Sequence, residues 1–245
     1  MQTNVLEYLE NTVIKVPDKV AYANDKDSLT FSQVYDYARA IGTYIAQHGF
    51  NKQPIVVYMK KHPHAISAFY GVVYSGNFYV PIDEEMPQYR IELIFQTLNP
   101  QFIICDQDTQ KLVKQFHYEG QTCLFDDLIE TSIQQDLLDD IRSKALDIDP
   151  LYIVFTSGST GVPKGVIANH RSVIDYIENL SLILQVNENT VFGNQAPLYF
   201  DACLKELYPT LKFGATAYLV PKNLFMFPIQ LIQFLNEHKI NTICW

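Results

Sequence analysis

Fifteen consecutive residues, Leu151 to Gly165 (LYIVFTSGSTGVPKG), constrain this chain more than any other stretch. Leu151 to Phe155 is an apolar run and reads as a buried strand. It empties into ten residues that, apart from Val162, are all Thr, Ser, Gly, Pro or Lys. A second short apolar run, Val166 to Ala168, follows. Small side chains, hydroxyls, glycines and one cation are what a phosphate-holding loop requires. Backbone N–H groups are free to point at oxygens, hydroxyls add hydrogen bonds, and a lysine offsets charge.

The spacing excludes the commonest nucleotide loops. Walker A needs Gly-Lys-Ser/Thr at its end, whereas Lys164 precedes Gly165 and only three positions separate Gly158 from Gly161. No G-x-G-x-x-G occurs, and no G-x-S-x-G nucleophile turn supports hydrolase chemistry. A solvated Ser/Gly linker is the plainer reading. Against it, linkers rarely follow a five-residue apolar strand and end in Pro-Lys-Gly before another one.

Thr156-Ser157-Gly158-Ser159-Thr160-Gly161 through Pro163-Lys164-Gly165 resembles the phosphate-loop motif of the adenylate-forming enzymes. These are the acyl-CoA synthetases, the luciferases and the adenylation domains of nonribosomal peptide synthetases, with the D-alanine–carrier protein ligases beside them. The resemblance implies that Thr156, Ser157, Gly158, Ser159, Thr160, Gly161 and Lys164 hold the phosphates of ATP, with Thr160 at Mg2+. The loop from Ser157 to Pro163 buries almost nothing and is expected to be poorly ordered without nucleotide.

The rest of the chain fits an α/β protein. Its 245 residues suffice for one large or two small domains, and 48% hydrophobic with 18% charged residues is ordinary globular composition. A net charge of −9 carries no basic footprint for nucleic acid or membrane. Asp126 to Asp149 concentrates eight acids against Arg142 and Lys144, which reads as a solvated surface excursion. Four cysteines without C-x-x-C spacing read as buried reduced thiols, and no signal or membrane-length run appears, so cytoplasm is expected.

In chain order, strands and helices alternate. A helical stripe ends before Pro17, and Val20–Ala23 with Leu29–Phe31 flank the turn tetrapeptide 24–27 as a hairpin. Ser32 is the expected N-cap of a helix ended by Gly49. Strands follow at Pro54–Met59, Phe78–Ile82, Phe102–Cys105 and Thr122–Phe125, with helices between them. Ser75 to Asp83 resembles the family's second core motif, a small-residue turn into Pro-x-Asp. Glu130–Asp149 has a local helical pattern without an obvious core stripe. A helix over His170–Leu184 presents Val173, Ile174, Ile177, Leu180 and Ile183 on one face. The expected fold is α/β, with mixed, largely parallel sheets and flanking helices. About 50–190 forms one subdomain with the phosphate loop, and 1–49 plus 191–245 forms part of a second. By resemblance this is an incomplete N-terminal domain.

A second motif separates substrate classes. In amino-acid-activating members a Phe-Asp-x-Ser segment starts a helix, and its Asp binds the substrate's α-ammonium. Phe200-Asp201-Ala202-Cys203 resembles it, with Cys203 in place of Ser. The resemblance implies that Phe200, Asp201, Ala202 and Lys205 line the substrate site. Lys205 stands four residues after Asp201, so both can face one side of a helix. The plainer readings are a helix N-cap for Asp201 and a solvated helix lysine for Lys205. His62-x-His64 has no third ligand at metal spacing and is not read as a metal site.

The resemblance implies two half-reactions. A substrate carboxylate attacks the α-phosphorus of Mg·ATP, and a thiol then takes the acyl group, by family the phosphopantetheine thiol of a carrier protein. The adenine, ribose and hinge segments and the C-terminal domain of such enzymes are not in this sequence, so it is expected to be an N-terminal half, inactive alone. Half of an acyl-CoA synthetase, disfavoured by Asp201, is the enzymatic alternative. A natural non-catalytic half-domain acting as a binding module is the other.

Overall fold

The computed structural model describes residues 2–156 and 162–244. The chain runs through α1 (Leu6–Val13), β1 (Val20–Ala23), β2 (Ser28–Thr30), α2 (Phe31–Gln47), β3 (Pro54–Tyr58), α3 (Pro63–Tyr74) and β4 (Phe78–Ile82). It continues through α4 (Gln88–Leu98), β5 (Phe102–Cys105), α5 (Gln107–Val113), β6 (Gln121–Leu124), α6 (Phe125–Leu128) and α7 (Gln135–Ser143). Then come β7 (Pro150–Thr156), β8 (Lys164–Asn169), α8 (His170–Leu184), β9 (Val191–Asn194), α9 (Leu204–Phe213), β10 (Thr216–Leu219) and α10 (Pro228–Glu237). The mixed α/β class with mostly parallel sheets is as the sequence indicates. The residues group into two compact units, one of Met1–Tyr35, Lys61–Pro63 and Val173–Trp245, the other of Asp36–Lys60 and His64–Ser172.

The second unit is built on a six-stranded sheet in the order β6-β5-β3-β4-β7-β8. All neighbours pair in parallel except β7 and β8. β3, β4 and β5 are apolar on both faces, as strands in a helix-covered parallel sheet must be. Val56, Tyr58, Val80, Ile82 and Ile103 pack with Ile91, Ile94 and Phe95 of α4 in one core cluster. The turn into β4 is set by Gly76 at φ +74°, a conformation costly for any side chain with a Cβ. Asn77 closes that turn by donating through Nδ2 to the carbonyls of Phe50 and Ser75, each at 3.1 Å.

The first unit holds a four-stranded sheet, β2-β1-β10-β9, parallel except for the β1–β2 hairpin. The hairpin turn is an Asx turn, with the Asn24 side chain accepting from the amides of Lys26 and Asp27. α9 is tied to its neighbours by its own carbonyls. Tyr22 donates its hydroxyl to Leu207 O at 2.7 Å and Thr12 donates to Leu211 O at 2.6 Å. Gly214, at φ +66°, ends the helix in the left-handed conformation.

Several local expectations are corrected. α2 starts at Phe31, so Ser32 lies inside it. Thr30 caps it instead: Thr30 Oγ1 accepts from the Gln33 amide while Gln33 Oε1 accepts from the Thr30 amide, a reciprocal capping box. The acidic stretch does contribute to the core, because α7 buries Leu138 and lays Ile141 against Gly76. In α8, Val173, Ile174 and Ile177 are buried, but Ile183 is 77% exposed. The stripe turns away from the core after Ser181, where the helix period has carried position 183 to the solvent side. Near residue 242 the described chain makes one parallel bridge, Phe192↔Thr242. Cys105 and Cys203 are buried, whereas Cys123 and Cys244 are partly buried, and all four are free thiols.

Candidate functional site

Two places carry the sequence-predicted site residues, one in each unit. In the second unit, β7 begins buried at Leu151 and Tyr152 and emerges to an exposed Thr156. β8 returns antiparallel with the register Phe155↔Gly165 and Thr156↔Lys164. The hairpin therefore sets a hydroxyl and an ammonium on paired strand ends, and Thr156 Oγ1 donates to Lys164 O at 3.4 Å. Lys164 is exposed and makes no ion pair among the described residues. Ser157, Gly158, Ser159, Thr160 and Gly161 lie outside the described residues, and with them the expectation about the order of that loop. Gly165 has a packing reason. A Cβ there would stand 2.8 Å from Ile153 Cγ2 and 3.3 Å from the Phe155 ring. An exposed cation beside a hydroxyl, with no carboxylate to neutralise it, suits an anionic ligand.

In the first unit, β9 ends at Asn194 and six residues lead to a 3-10 turn over Asp201–Cys203, from which α9 continues. Asp201 is exposed, and its side chain makes no hydrogen bond or ion pair among the described residues. It does not cap the helix: Phe200 occupies that position, with no side-chain cap bond. The plainer reading of Asp201 as an N-cap is thus set aside. Phe200 is half exposed, with its ring centroid 4.8 Å from that of Tyr199. Ala202 and Lys205 are half-buried. Cys203, in the position of the motif's Ser, is buried with Sγ 3.7 Å from Leu198 O, and burial pushes its thiol far up.

Beneath this turn lies a polar group that the sequence does not single out. Asn194 and Glu206 are both fully buried, and Asn194 Nδ2 donates to Glu206 Oε2 at 3.1 Å. The remaining polar atoms, Asn194 Oδ1 and Glu206 Oε1, are buried without a partner among the described residues. Burial raises the Glu206 carboxyl to about 7. Lys61 reaches in from a three-residue segment of this unit. Its Nζ donates to the carbonyls of Asn194 at 2.9 Å, Gln195 at 3.0 Å and Val220 at 3.4 Å. Burial lowers its ammonium to about 8, although the Cys203 and Glu206 side chains oppose that shift. Tyr176 of α8 belongs to the same neighbourhood; its hydroxyl is raised by burial first, then by the charges of Asp201, Cys244 and Glu206.

Adjacent lysines show why sequence reasoning missed this group. Lys60 forms an exposed ion pair with Asp108 at 2.6 Å, while Lys61 donates only to backbone carbonyls. Nothing in the pair Lys60-Lys61 tells them apart. The two histidines that follow also part company. His62 sits 3.1 Å from Asp27, and His64 stacks on Phe125 with centroids 4.5 Å apart. No cluster of His, Cys, Asp or Glu among the described residues could hold a metal ion. No helix among them is long and apolar enough to cross a membrane.

Known proteins match along almost the whole chain. D-alanine–D-alanyl carrier protein ligase from Staphylococcus aureus is 30% identical over 241 residues, covering 98% of this chain and 47% of the relative. The chain thus spans about half the length of the curated relatives it matches. Among solved structures, the nonribosomal peptide synthetase FmoA3 superposes with a TM-score of 0.82 at 20% identity, over 97% of this chain and 25% of that one. VinN in complex with L-aspartate gives 0.82 at 17% identity, over 98% of this chain and 66% of that one. At those identities the structures speak for the fold. The family model for AMP-binding enzymes matches residues 9–245, and the chain belongs to that family.

Proposed function

We propose that this chain is the N-terminal part of an ATP-dependent amino-acid-activating ligase of the cytoplasm, which forms an aminoacyl-adenylate and passes the aminoacyl group to a carrier-protein phosphopantetheine thiol. The observation that carries the reading is Asp201. It is a carboxylate on the opening turn before α9, exposed, not used as a cap and not paired among the described residues. A carboxylate without a partner among the described residues suits the α-ammonium of an amino acid and offers nothing to a simple fatty or aryl acid. The likeness to a D-alanine–D-alanyl carrier protein ligase supports the carrier as acceptor.

In the first half-reaction a substrate carboxylate oxygen bonds to the α-phosphorus of ATP, and the bond from that phosphorus to the bridging oxygen of pyrophosphate breaks. Both reactants are anionic, so positioning and charge neutralisation carry the rate. Thr156, Ser157, Gly158, Ser159, Thr160, Gly161 and Lys164 hold the phosphates in this reading, and Thr160 meets Mg2+. The donor set at the hairpin ends fits, with an exposed hydroxyl opposite an exposed, unneutralised ammonium. Mg2+ supplies charge neutralisation at the phosphate oxygens. Asp201 holds and orients the amino acid, while Phe200, Ala202 and Lys205 border it.

The test uses the enzyme extended to the full length of its relatives. Incubated with ATP, Mg2+ and single amino acids, it should yield an aminoacyl-AMP detectable by mass spectrometry, and an aminoacyl thioester once a phosphopantetheinylated carrier is added. Adenylates formed only from fatty or aryl acids would overturn the reading.

A further inference from the structure

The helix that carries the site is weakly fixed by its own sequence. It opens as a 3-10 turn, no side chain caps it, and Pro209 lies inside it. A proline has no N–H, so the carbonyl one turn earlier, that of Lys205, loses its helical donor. The placement of Asp201 and Lys205 must therefore come from tertiary contacts. One is Asn194 Nδ2 to Glu206 Oε2, at the centre of the buried polar group.

Asn194 is itself held on its other side. Its carbonyl accepts from the Val220 amide at 3.0 Å, an ordinary ladder bond, and from Lys61 Nζ at 2.9 Å. Gln195 O and Val220 O complete the set around the ammonium. An ammonium has three N–H donors and no acceptor, and here three carbonyls meet it at the C-terminal ends of two adjacent parallel strands. Within this unit Lys61 belongs to an isolated segment of three residues, Lys61–Pro63, whose neighbour His62 faces Asp27. No carboxylate lies within ion-pair distance of Lys61 among the described residues.

We infer that Lys61 is a positioning residue for the substrate site: its ammonium fixes the end of β9, Asn194 transmits that placement to Glu206, and Glu206 holds the helix so that Asp201 meets the substrate ammonium. This rests on the role given to Asp201 above. Lys61 touches no substrate. Its removal acts through the geometry of Asp201, so it should weaken selection of the amino group and not catalysis in general.

The experiment compares Lys61→Met and Lys61→Arg with wild type in the full-length enzyme, on the preferred amino acid and on its des-amino analogue. A misplacement of about 1 Å at a binding group costs on the order of 100-fold. Lys61→Met should lose roughly that factor in kcat/KM for the amino acid, with the analogue and the KM for ATP nearly unchanged. Lys61→Arg, which keeps the charge and several donors, should recover part of it. Circular dichroism and thermal unfolding check the fold. If Lys61→Met does not fold, Asn194→Ala breaks the same bracket at its next link and takes its place. Equal loss on both substrates, or no loss, overturns the inference. A wild type indifferent to the amino group overturns the amino-acid reading itself, and is seen before any variant is made.

Discussion

The β7–β8 hairpin and the β9-to-α9 turn both follow a strand and both carry proposed ligand contacts, yet they are made in opposite ways. The hairpin keeps its ends in the open. Thr156 and Lys164 are exposed and held by backbone pairing, and Gly165 is there because a Cβ would strike Ile153. The β9–α9 turn is supported from below by fully buried Asn194 and Glu206 and by Lys61 among carbonyls. An anion as large as a triphosphate needs many donors, and backbone amides with small side chains supply them cheaply. A single ammonium needs one carboxylate in one place, and that placement requires a scaffold of buried polar contacts. Changes in the hairpin should therefore touch the nucleotide, and changes in the turn should touch selection of the amino acid and stability together.

The largest expected effect belongs to Asp201→Ala in the full-length enzyme. Asp201 is exposed without substrate; once bound substrate covers it the pair is desolvated, and stranding one partner then costs about 3–5 kcal/mol. That is a fall of about a hundred to several thousand in kcat/KM for the amino acid, at about 1.4 kcal/mol per tenfold. ATP affinity should hold. Loss of nucleotide binding in parallel would erase the division of labour between the two regions.

Glu206→Gln comes next. The Glu206 carboxyl is raised from 4.5 to about 7, chiefly by burial. An acid raised on folding holds its proton more tightly folded than unfolded, so its contribution to stability is full below pH 4.5 and is lost as pH climbs to about 7. The loss is at most about 3.5 kcal/mol, at about 1.4 kcal/mol per pH unit between 4.5 and about 7. Glu84 is shifted in the same direction and titrates in both proteins, so the readout is the difference between wild type and variant in urea unfolding at pH 4.5 and 8. The variant should gain on wild type as pH rises. A difference that does not change with pH would mean that Glu206 is not desolvated.

Gly165→Val sharpens the other side of the comparison. Overpacking against Ile153 should cost about 1–3 kcal/mol of stability, and the double variant with Ile153→Ala should lose less than the sum of the two single losses. Strictly additive losses would show that the two positions do not touch. The smallest effect is on Lys164→Ala, whose stability should stay within about 0.5 kcal/mol of wild type, as for a surface residue without partners. A larger loss would mean that Lys164 supports the hairpin itself.

These differences also explain what the sequence made legible. The central strands are readable because they are apolar on both faces and bounded by turn residues, as Phe78–Ile82 after Gly76 illustrates. The residues 156–165 and 200–203 are readable because each breaks an apolar stretch with a change of residue type: Thr, Ser, Gly, Pro and Lys, apart from Val162, in the first, and an acid between Phe200 and Ala202 in the second. Thr30 and Ser32 are both good caps, and only the Gln33 side chain, three residues after Thr30, decides between them. Leu138 is not legible because one buried leucine on an acidic helix makes no stripe. Lys61 and Asn194 left no local mark at all. Their role depends on contacts across more than 130 positions of sequence, as with Lys61 Nζ to Asn194 O at a separation of 133.

The central claim is that this site selects an amino group. The most direct measurement is ATP–pyrophosphate exchange by the full-length enzyme, with an amino acid and its des-amino analogue assayed side by side. The account predicts a preference for the amino acid of about a hundredfold or more in kcat/KM, since a charge pair of about 3 kcal/mol or more separates the two. Equal exchange with both, or faster exchange with the analogue, would contradict it.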